Sequence, residues 1–408
     1  MDDARYLPAG VHRCSLFQFG LWLGLLGIII VFGTWAAYWV FSQGLGVTQM
    51  NNSFGFGLWV TYDLAAIALG AGAFFSGFLY YILRIQALKN ILHLAVVVGF
   101  VCYSGAIALL MLDIGQPLRA WFGYWHPNVH SMLTEVIFCI SCYLLILIIE
   151  CIPIILHNPR LSYSRFCQHL ARNFHIHMPL FIAAGTFLSF FHQGSLGGVF
   201  GVLFGRPFVM REDFFIWPWS FFLFILSAVA SGPVFIMLIA SLMEKMTGRR
   251  LVDFQTKSLL GKISGFLLAI YVFFKILDTW AWAQGILPEM GLRFEDMYNQ
   301  IYSQWLLWAE LGLCGLLPAL MLVVRPWRMR PFVLHLGAVL TCAGVLLNRF
   351  AFTVHNLAVP VLPFEQWTTY IPNWTEWATT LCIIAYSALI ISLAYRYLPL
   401  FPQEQDLN

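Results

Sequence analysis

Ten long apolar stretches govern what this chain can become. They lie at about 16–42, 56–83, 90–113, 131–155, 178–200, 214–243, 257–284, 302–324, 331–353 and 374–397. An α-helix rises about 1.5 Å per residue, so about 20 apolar residues cross a hydrocarbon core of roughly 30 Å. Pro, Gly, Asn and charge fill the breaks, as turns require. Charged residues make up 10% of the 408 and hydrophobic ones 60%, where a soluble domain carries about 25% charged. The expected fold is therefore all-α: an integral membrane protein with ten transmembrane helices in a single domain, residues 1–408.

Charge placement predicts how the helices are threaded. Of the 22 Lys and Arg, sixteen lie at the termini or in the loops after helices 2, 4, 6 and 8, and Arg119, Arg206, Arg211 and Arg293 lie in the other loops. Lys275 and Arg349 fall inside helices. The positive-inside rule then puts both termini in the cytoplasm and the sparse loops in the periplasm of a bacterial inner membrane. The basic residues form no run longer than Arg249–Arg250, so no nucleic-acid partner is expected. The opening MDDARYLPAGVHRCS has no cleavage signal, so the first helix is expected to stay as a span. The nine cysteines sit mostly in apolar stretches, and CISC (139–142) has no second pair to complete a four-ligand site. They read as small packing residues, with no metal expected.

Ionisable groups at bilayer depth cost about 2.5–3.5 kcal/mol each on insertion scales. Here they gather in the periplasmic half: Asp63, Asp113, His130, Glu135, His192 with Gln193, Lys275 with Asp278, Glu310, Arg349 and Glu376. An interfacial polar belt accounts equally well for Asp113, Glu376 and His130, and Lys275 and Asp278 could simply neutralise each other. Glu135, Glu310 and His192 sit a turn or more inside and need partners within the protein. The stretch FHQGSLGG (191–198) ends an apolar helix with His192, Gln193 and three glycines, which reads as backbone loosened beside a polar ligand. Glu150 closes helix 4 at its other end. Fifteen residues separate it from Glu135, about 22 Å along the helix and broadly on one face. Two carboxylates so placed could bracket a proton path; a glutamate at the lipid headgroups is the plainer reading of Glu150.

Helices 2–5 and 6–9 read as two versions of one unit, at about 56–200 and 214–353. LMLDIG (110–115) answers KILDTW (275–280), TEVIFC (134–139) answers AELGLC (309–314), and PLFIAAG (179–185) answers PFVLHLG (331–337). Four helices apart, the units run the same way, so two parallel four-helix-bundle repeats are expected, flanked by helices 1 and 10.

The blocks GLGVTQMNNSFGFGLWVTYDLAAIALGAGAF (44–74), LDIGQPLRAWFGYWHPNVHSMLTE (112–135), FHQGSLGG (191–198) and YIPNWTEWATTLCIIAYSALIISLAYRYLPLF (370–401) resemble the NrfD/polysulfide-reductase family of membrane subunits. The resemblance covers nearly the whole chain. It points to the ten-helix branch, which includes the membrane subunits of type-2 nickel–iron hydrogenase and of the quinone reductase complex of sulfate reducers. Family members often read HQSS where this chain reads HQGS.

The resemblance implies a quinone-binding subunit with no haem or metal of its own. It implies docking on a periplasmic iron–sulfur subunit, with further periplasmic catalytic or cytochrome c subunits behind it and membrane lipid around it. Glu135 and Glu150 match the branch's proton-handling carboxylates. On this footing a menaquinone headgroup is expected just beneath the periplasmic face. His192 or Gln193 would hold one oxygen, Tyr62, Asp63 or Glu135 would lie near the other, and His130 and Asp113 would stand close by. Loops 121–127 and 204–213 are the expected docking face. Two other classes stay open at this point. A cytochrome b would need a facing histidine pair such as His93 and His335. A secondary transporter would more often show inverted repeats.

Overall fold

The computed structural model of the chain describes every residue except 1–6, 9–10, 12, 159, 202, 204, 300, 362–363 and 405–408. Among the described residues, ten helices are long and apolar enough to cross a bilayer: α1 Leu16–Gln43, α2 Leu58–Ile82, α3 Gln86–Asp113, α4 Met132–Leu156, α5 Arg165–Gly201, α6 Trp219–Thr247, α7 Phe254–Glu289, α8 Ser303–Val323, α9 Pro331–Ala358 and α10 Trp374–Tyr397. The all-α membrane fold holds. Short polar side chains start several helices by accepting otherwise unpaired first-turn N–H groups. Ser15 does this for α1, Ser131 for α4, Asp253 for α7 and Asn373 for α10. Gly248, left-handed at φ 69°, ends α6 and donates to the Glu244 carbonyl.

The helices close into two rings. In the first, α2 packs on α3, α3 on α4, α4 on α5, and α5 returns to α2. In the second, α6 to α9 do the same, with α9 returning to α6. The pair α1/α10 flanks the first ring through α10. This grouping is the one a parallel repeat requires; that the rings are copies of one unit is an inference from the order of their motifs.

The rings meet where α2 crosses α6. A Cβ on Gly72 would lie 2.5 Å from the Gly232 carbonyl oxygen, and one on Gly232 would lie 2.2 Å from the Gly72 nitrogen. Backbone therefore touches backbone, the close approach that small residues give membrane helices. On either side of this crossing α5 packs on α6 and α9 packs on α2.

One end of the bundle is fixed by Arg13 bonding the Tyr395 carbonyl, His93 bonding that of Pro399, and Asn158 bonding that of Tyr397. This end carries the Lys- and Arg-rich loops and is the basic face; Arg5 lies outside the described residues. At the opposite face, Thr61 meets Thr353 at 2.7 Å and Trp59 donates to Thr379 at 2.7 Å.

Three expectations need correcting. First, α5 begins at Arg165, because RFCQHLARNFHIHM (165–178) is helical but too polar to read as membrane-buried. Second, α6 begins at Trp219, after a two-stranded hairpin pairing Asp213–Phe214 with Trp217–Pro218. Third, the FHQGSLGG glycines do not loosen the backbone, since α5 continues as helix to Gly201. A Cβ on Gly194, Gly197 or Gly198 would lie 2.4 Å from Phe221, 2.3 Å from the Ser220 carbonyl oxygen or 2.2 Å from Met132. These glycines are small so that α6 and the start of α4 can come close.

Overpacking such a contact costs about 1–3 kcal/mol. Gly232→Ala is expected to lower the thermal unfolding midpoint of the detergent-purified protein. Gly24→Ala, with nothing within 4 Å of its Cβ position, is expected to leave it unchanged.

Candidate functional site

The interior of the first ring, toward the opposite face, collects polar atoms without partners. His192 and Gln193 are both fully buried on α5. The Gln193 amide donates to the Ile67 carbonyl of α2 at 2.9 Å and stands 3.5 Å from the Tyr103 hydroxyl of α3. Its Oε1 accepts no hydrogen bond. Neither ring nitrogen of His192 is bonded; the Val136 backbone is near the imidazole but outside hydrogen-bonding geometry. The His192 ring lies 5.9 Å from that of Tyr103, whose hydroxyl shares a 2.8 Å hydrogen bond with Ser189. Asp63, one turn before Ile67 on α2, is buried with an unpartnered Oδ1. Glu135, half-buried in the first turn of α4, lies against Ser195 of α5.

The structure thus draws Asp63, Glu135, His192 and Gln193 into one ring. Leaving a buried polar group unpaired costs about 1–3 kcal/mol, and natural proteins leave few. The four such atoms on His192, Gln193 and Asp63 suit a small headgroup that offers both donors and acceptors. His192 and Gln193 are sealed from the surface by their neighbours.

Of the other expected residues, Asp113 borders this group and His130 and Tyr62 lie elsewhere. His130 is exposed in the loop before α4, its backbone N–H bonded to Asn128. Tyr62 packs with Val40, Trp59, Leu109 and Leu112, toward α1 and α10. Asp113 ends α3 half-buried, within electrostatic reach of both Asp63 and Glu376. Glu376 is fully satisfied: it accepts from the backbone N–H groups of Gln49 at 3.1 Å and Asn373 at 3.0 Å, and from the Tyr370 hydroxyl.

Glu150 does not lie among lipid headgroups. It is 6% exposed and faces a cavity of ≈ 460 Å³ that enters from the basic face, lined also by Lys89, His93, His157, Arg172 and His175. Two turns along α4 stands buried Tyr143, its ring 4.6 Å from that of Tyr103. Glu150, Tyr143, Tyr103 and Gln193 therefore run in sequence from the cavity to the unpartnered cluster. The two tyrosines escaped the sequence reading. The available signal was a phenol at mid-helix, whose hydroxyl must be answered inside the protein.

In the second ring the buried acids have partners, although Arg349 Nε and the Asn356 side chain do not. Arg211, from the loop before α6, bonds Asp278 at 3.0 Å, with Lys275 3.9 Å from the same oxygen. Glu310 accepts from Asn348 at 2.8 Å and from Tyr271 at 3.3 Å. Arg349 stacks 3.6 Å over Phe224 and donates to Ser227 at 2.9 Å. Asp278 is thus answered first by Arg211, which no spacing rule on α7 could have supplied. The histidine pair considered for a haem does not suit one. Both nitrogens of His335 are engaged, by Pro331 at 2.7 Å and Ser241 at 2.9 Å, and His93 bonds Pro399 at 2.7 Å. No cluster of three or more His, Cys, Asp or Glu that could hold a metal ion occurs among the described residues.

Fold and cluster define a multi-pass membrane protein with a buried polar cluster inside a helix ring. Residues 46–358 match the family described as polysulphide reductase, NrfD, and the chain belongs to that family. It is 58% identical, over 100% of its length and 97% of the relative's, to the menaquinone reductase integral membrane subunit of Nitratidesulfovibrio vulgaris (strain Hildenborough). It is 20% identical to a selenate reductase subunit of Mesobacillus selenatarsenatis, over 95% of this chain and 96% of that one. It is 23% identical to a probable Ni/Fe-hydrogenase 2 b-type cytochrome subunit of Escherichia coli, over 90% of this chain and 89% of that one. The chain is accordingly the membrane subunit of an oxidoreductase complex.

The contrast between the rings is measurable. Asp278→Asn strands the buried Arg211 and is expected to cost about 3–5 kcal/mol. His192→Leu removes two unpartnered atoms and is expected to be neutral or stabilising. Chemical denaturation of the purified protein in mixed micelles compares the two.

Proposed function

We propose that this chain exchanges quinone for its complex and that menaquinone is reduced at the His192–Gln193 cluster. The unpartnered buried polar atoms of that cluster carry the reading, supported by the name of the relative at 58% identity. Reduction of the quinone takes up two electrons and two protons. An N–H of His192 donates to one quinone oxygen and stabilises charge as it develops there. Asp63 and Glu135 hold protons for transfer to the headgroup.

In this reading the basic face is cytoplasmic and both termini lie there. Electrons come from a periplasmic iron–sulfur subunit docked over loop 121–127, where Trp121, Phe122, Tyr124 and Trp125 are exposed. Position 204 of the other docking candidate, 204–213, lies outside the described residues. Protons enter at the Glu150 cavity and pass Tyr143 and Tyr103. Electrons and protons then arrive from different faces, and turnover separates charge. A hydrogenase as the electron source is a second reading, favoured by the Escherichia coli relative; it changes the donor and leaves the site as it is.

A fluorescent quinol analogue tests the site. Its emission is expected to quench saturably on the intact complex. His192→Ala should abolish the quenching and Glu135→Gln preserve it; absence of quenching in the unmodified complex rejects the site.

Reconstituted vesicles test the proton route. Quinone reduction is expected to build a membrane potential. Glu150→Gln should slow reduction at least about tenfold, a barrier rise of about 1.4 kcal/mol. Reduction without any potential overturns the two-sided scheme.

A further inference from the structure

A second crevice, unconnected with either ring interior, opens on the basic face between the α1/α10 pair and α6, with a volume of ≈ 520 Å³. Trp22 of α1 donates to Ser392 of α10 at 3.0 Å along one wall. α6 forms the other wall with Met243 and Met246, and its chain continues to Arg249. The floor is apolar: Phe19, Trp22, Met243, Met246 and Ile391.

The mouth is basic. Arg13 holds Glu404 through two bonds of 2.5 and 3.0 Å and lies 3.9 Å over the Tyr395 ring. Arg396 donates to the Cys14 carbonyl at 3.0 Å and lies 4.6 Å over the Phe19 ring. The Arg249 side chain is 30% exposed and 3.9 Å from Glu404. Arg13, Arg249 and Arg396 all line this mouth, and Arg249 is the most exposed of the three.

We propose that this crevice is a binding site for an anionic phospholipid, with the phosphate at Arg249 and the acyl chains along Trp22, Met243, Met246 and Ile391. Depth and charge agree on this occupant. The floor lies along the apolar ends of three membrane helices, where acyl chains belong. The guanidiniums lie where those helices emerge, at headgroup level. Guanidinium pairs with phosphate in a fork of two hydrogen bonds. Basic pockets between membrane helices on the Lys- and Arg-rich face suit anionic headgroups. A quinone headgroup is uncharged and offers the Arg249 guanidinium no counter-charge. A lipid seated here would tie the flanking α1/α10 pair to the second ring through α6.

The test uses the whole complex, purified and stripped of lipid by detergent exchange, then titrated and followed by native mass spectrometry. Phosphatidylglycerol is expected to bind saturably at one tight site per chain, with phosphatidylcholine at least about tenfold weaker. Arg249→Gln removes one surface cation and should weaken phosphatidylglycerol about fivefold. Arg249→Lys should retain most of the binding. Lys262→Gln, a basic-face change outside the crevice, should have no effect. Met246→Trp, which fills the floor without touching the charges, should block the site and guards against a folding defect in the arginine variants. Equal binding of the two lipids overturns the proposal, as does an unchanged affinity in Arg249→Gln. So does displacement of phosphatidylglycerol by inorganic phosphate, which would make this a free-anion site, or by a menaquinol analogue, which would make it a quinone site.

Discussion

The backbone contact between Gly72 and Gly232 sets the spacing on which the rest depends. With no side chain on either helix there, α2 and α6 approach as closely as two helices can. That closeness brings α5 against α6, and α5 meets it with Gly194, Gly197 and Gly198. Just before those glycines, His192 and Gln193 are then pressed inward onto α2 and α3. The histidine and the glycines of FHQGSLGG thus serve one arrangement from two sides. The glycines admit the neighbouring ring, and the polar pair is directed into its own.

The two rings treat their buried acids differently. In the second, each buried acid has a donor and Arg211 and Arg349 also stack on aromatic rings, which suits a weakly hydrated guanidinium. Such a network holds helices in register. In the first ring, an imidazole, an amide oxygen and a carboxylate oxygen are buried without answer. Leaving these polar atoms unpaired costs stability. In the proposed reading, that cost is what the quinone headgroup recovers on binding.

The ten spans were legible because twenty apolar residues in a row have one physical use. Their ends were less so. Residues 165–178 are too polar to signal a membrane span, yet they extend α5 toward the basic face as helix. Depth in the membrane was legible for His192, Gln193, Glu135 and Asp63, since hydropathy fixes where a residue falls along a span. It misplaced His130, which lies in an exposed loop only two residues before α4. Azimuth was not legible. Nothing in one chain's hydropathy says that Tyr62 faces α10 while Asp63 is buried with an unpartnered oxygen. Partners distant in sequence were hidden for the same reason, as with Arg211 on Asp278 and Tyr103 beside His192. The glycines misled because a sequence reveals their conformational freedom and not the neighbour that needs the space.

Helix α4 carries the two-sided character of the proposed reaction in one rigid element. Glu135 stands at one end and Glu150 at the other, about 22 Å apart along the axis, with Tyr143 buried between them. The cavity reaches Glu150 from the basic face, so in the proposed scheme a proton crosses the remaining depth through side chains and not through bulk water. Crossing that depth against a potential costs about 2.3 kcal/mol per charge for each 100 mV dropped along it. A quinone site beside the basic face would avoid this cost. The unpartnered cluster instead lies at the far end of the path. Placing the headgroup there makes proton uptake work against the potential and lets the redox reaction store energy across the membrane. In the proposed scheme, charge separation follows from where the polar atoms are buried and needs no moving part beyond the side chains that admit the headgroup.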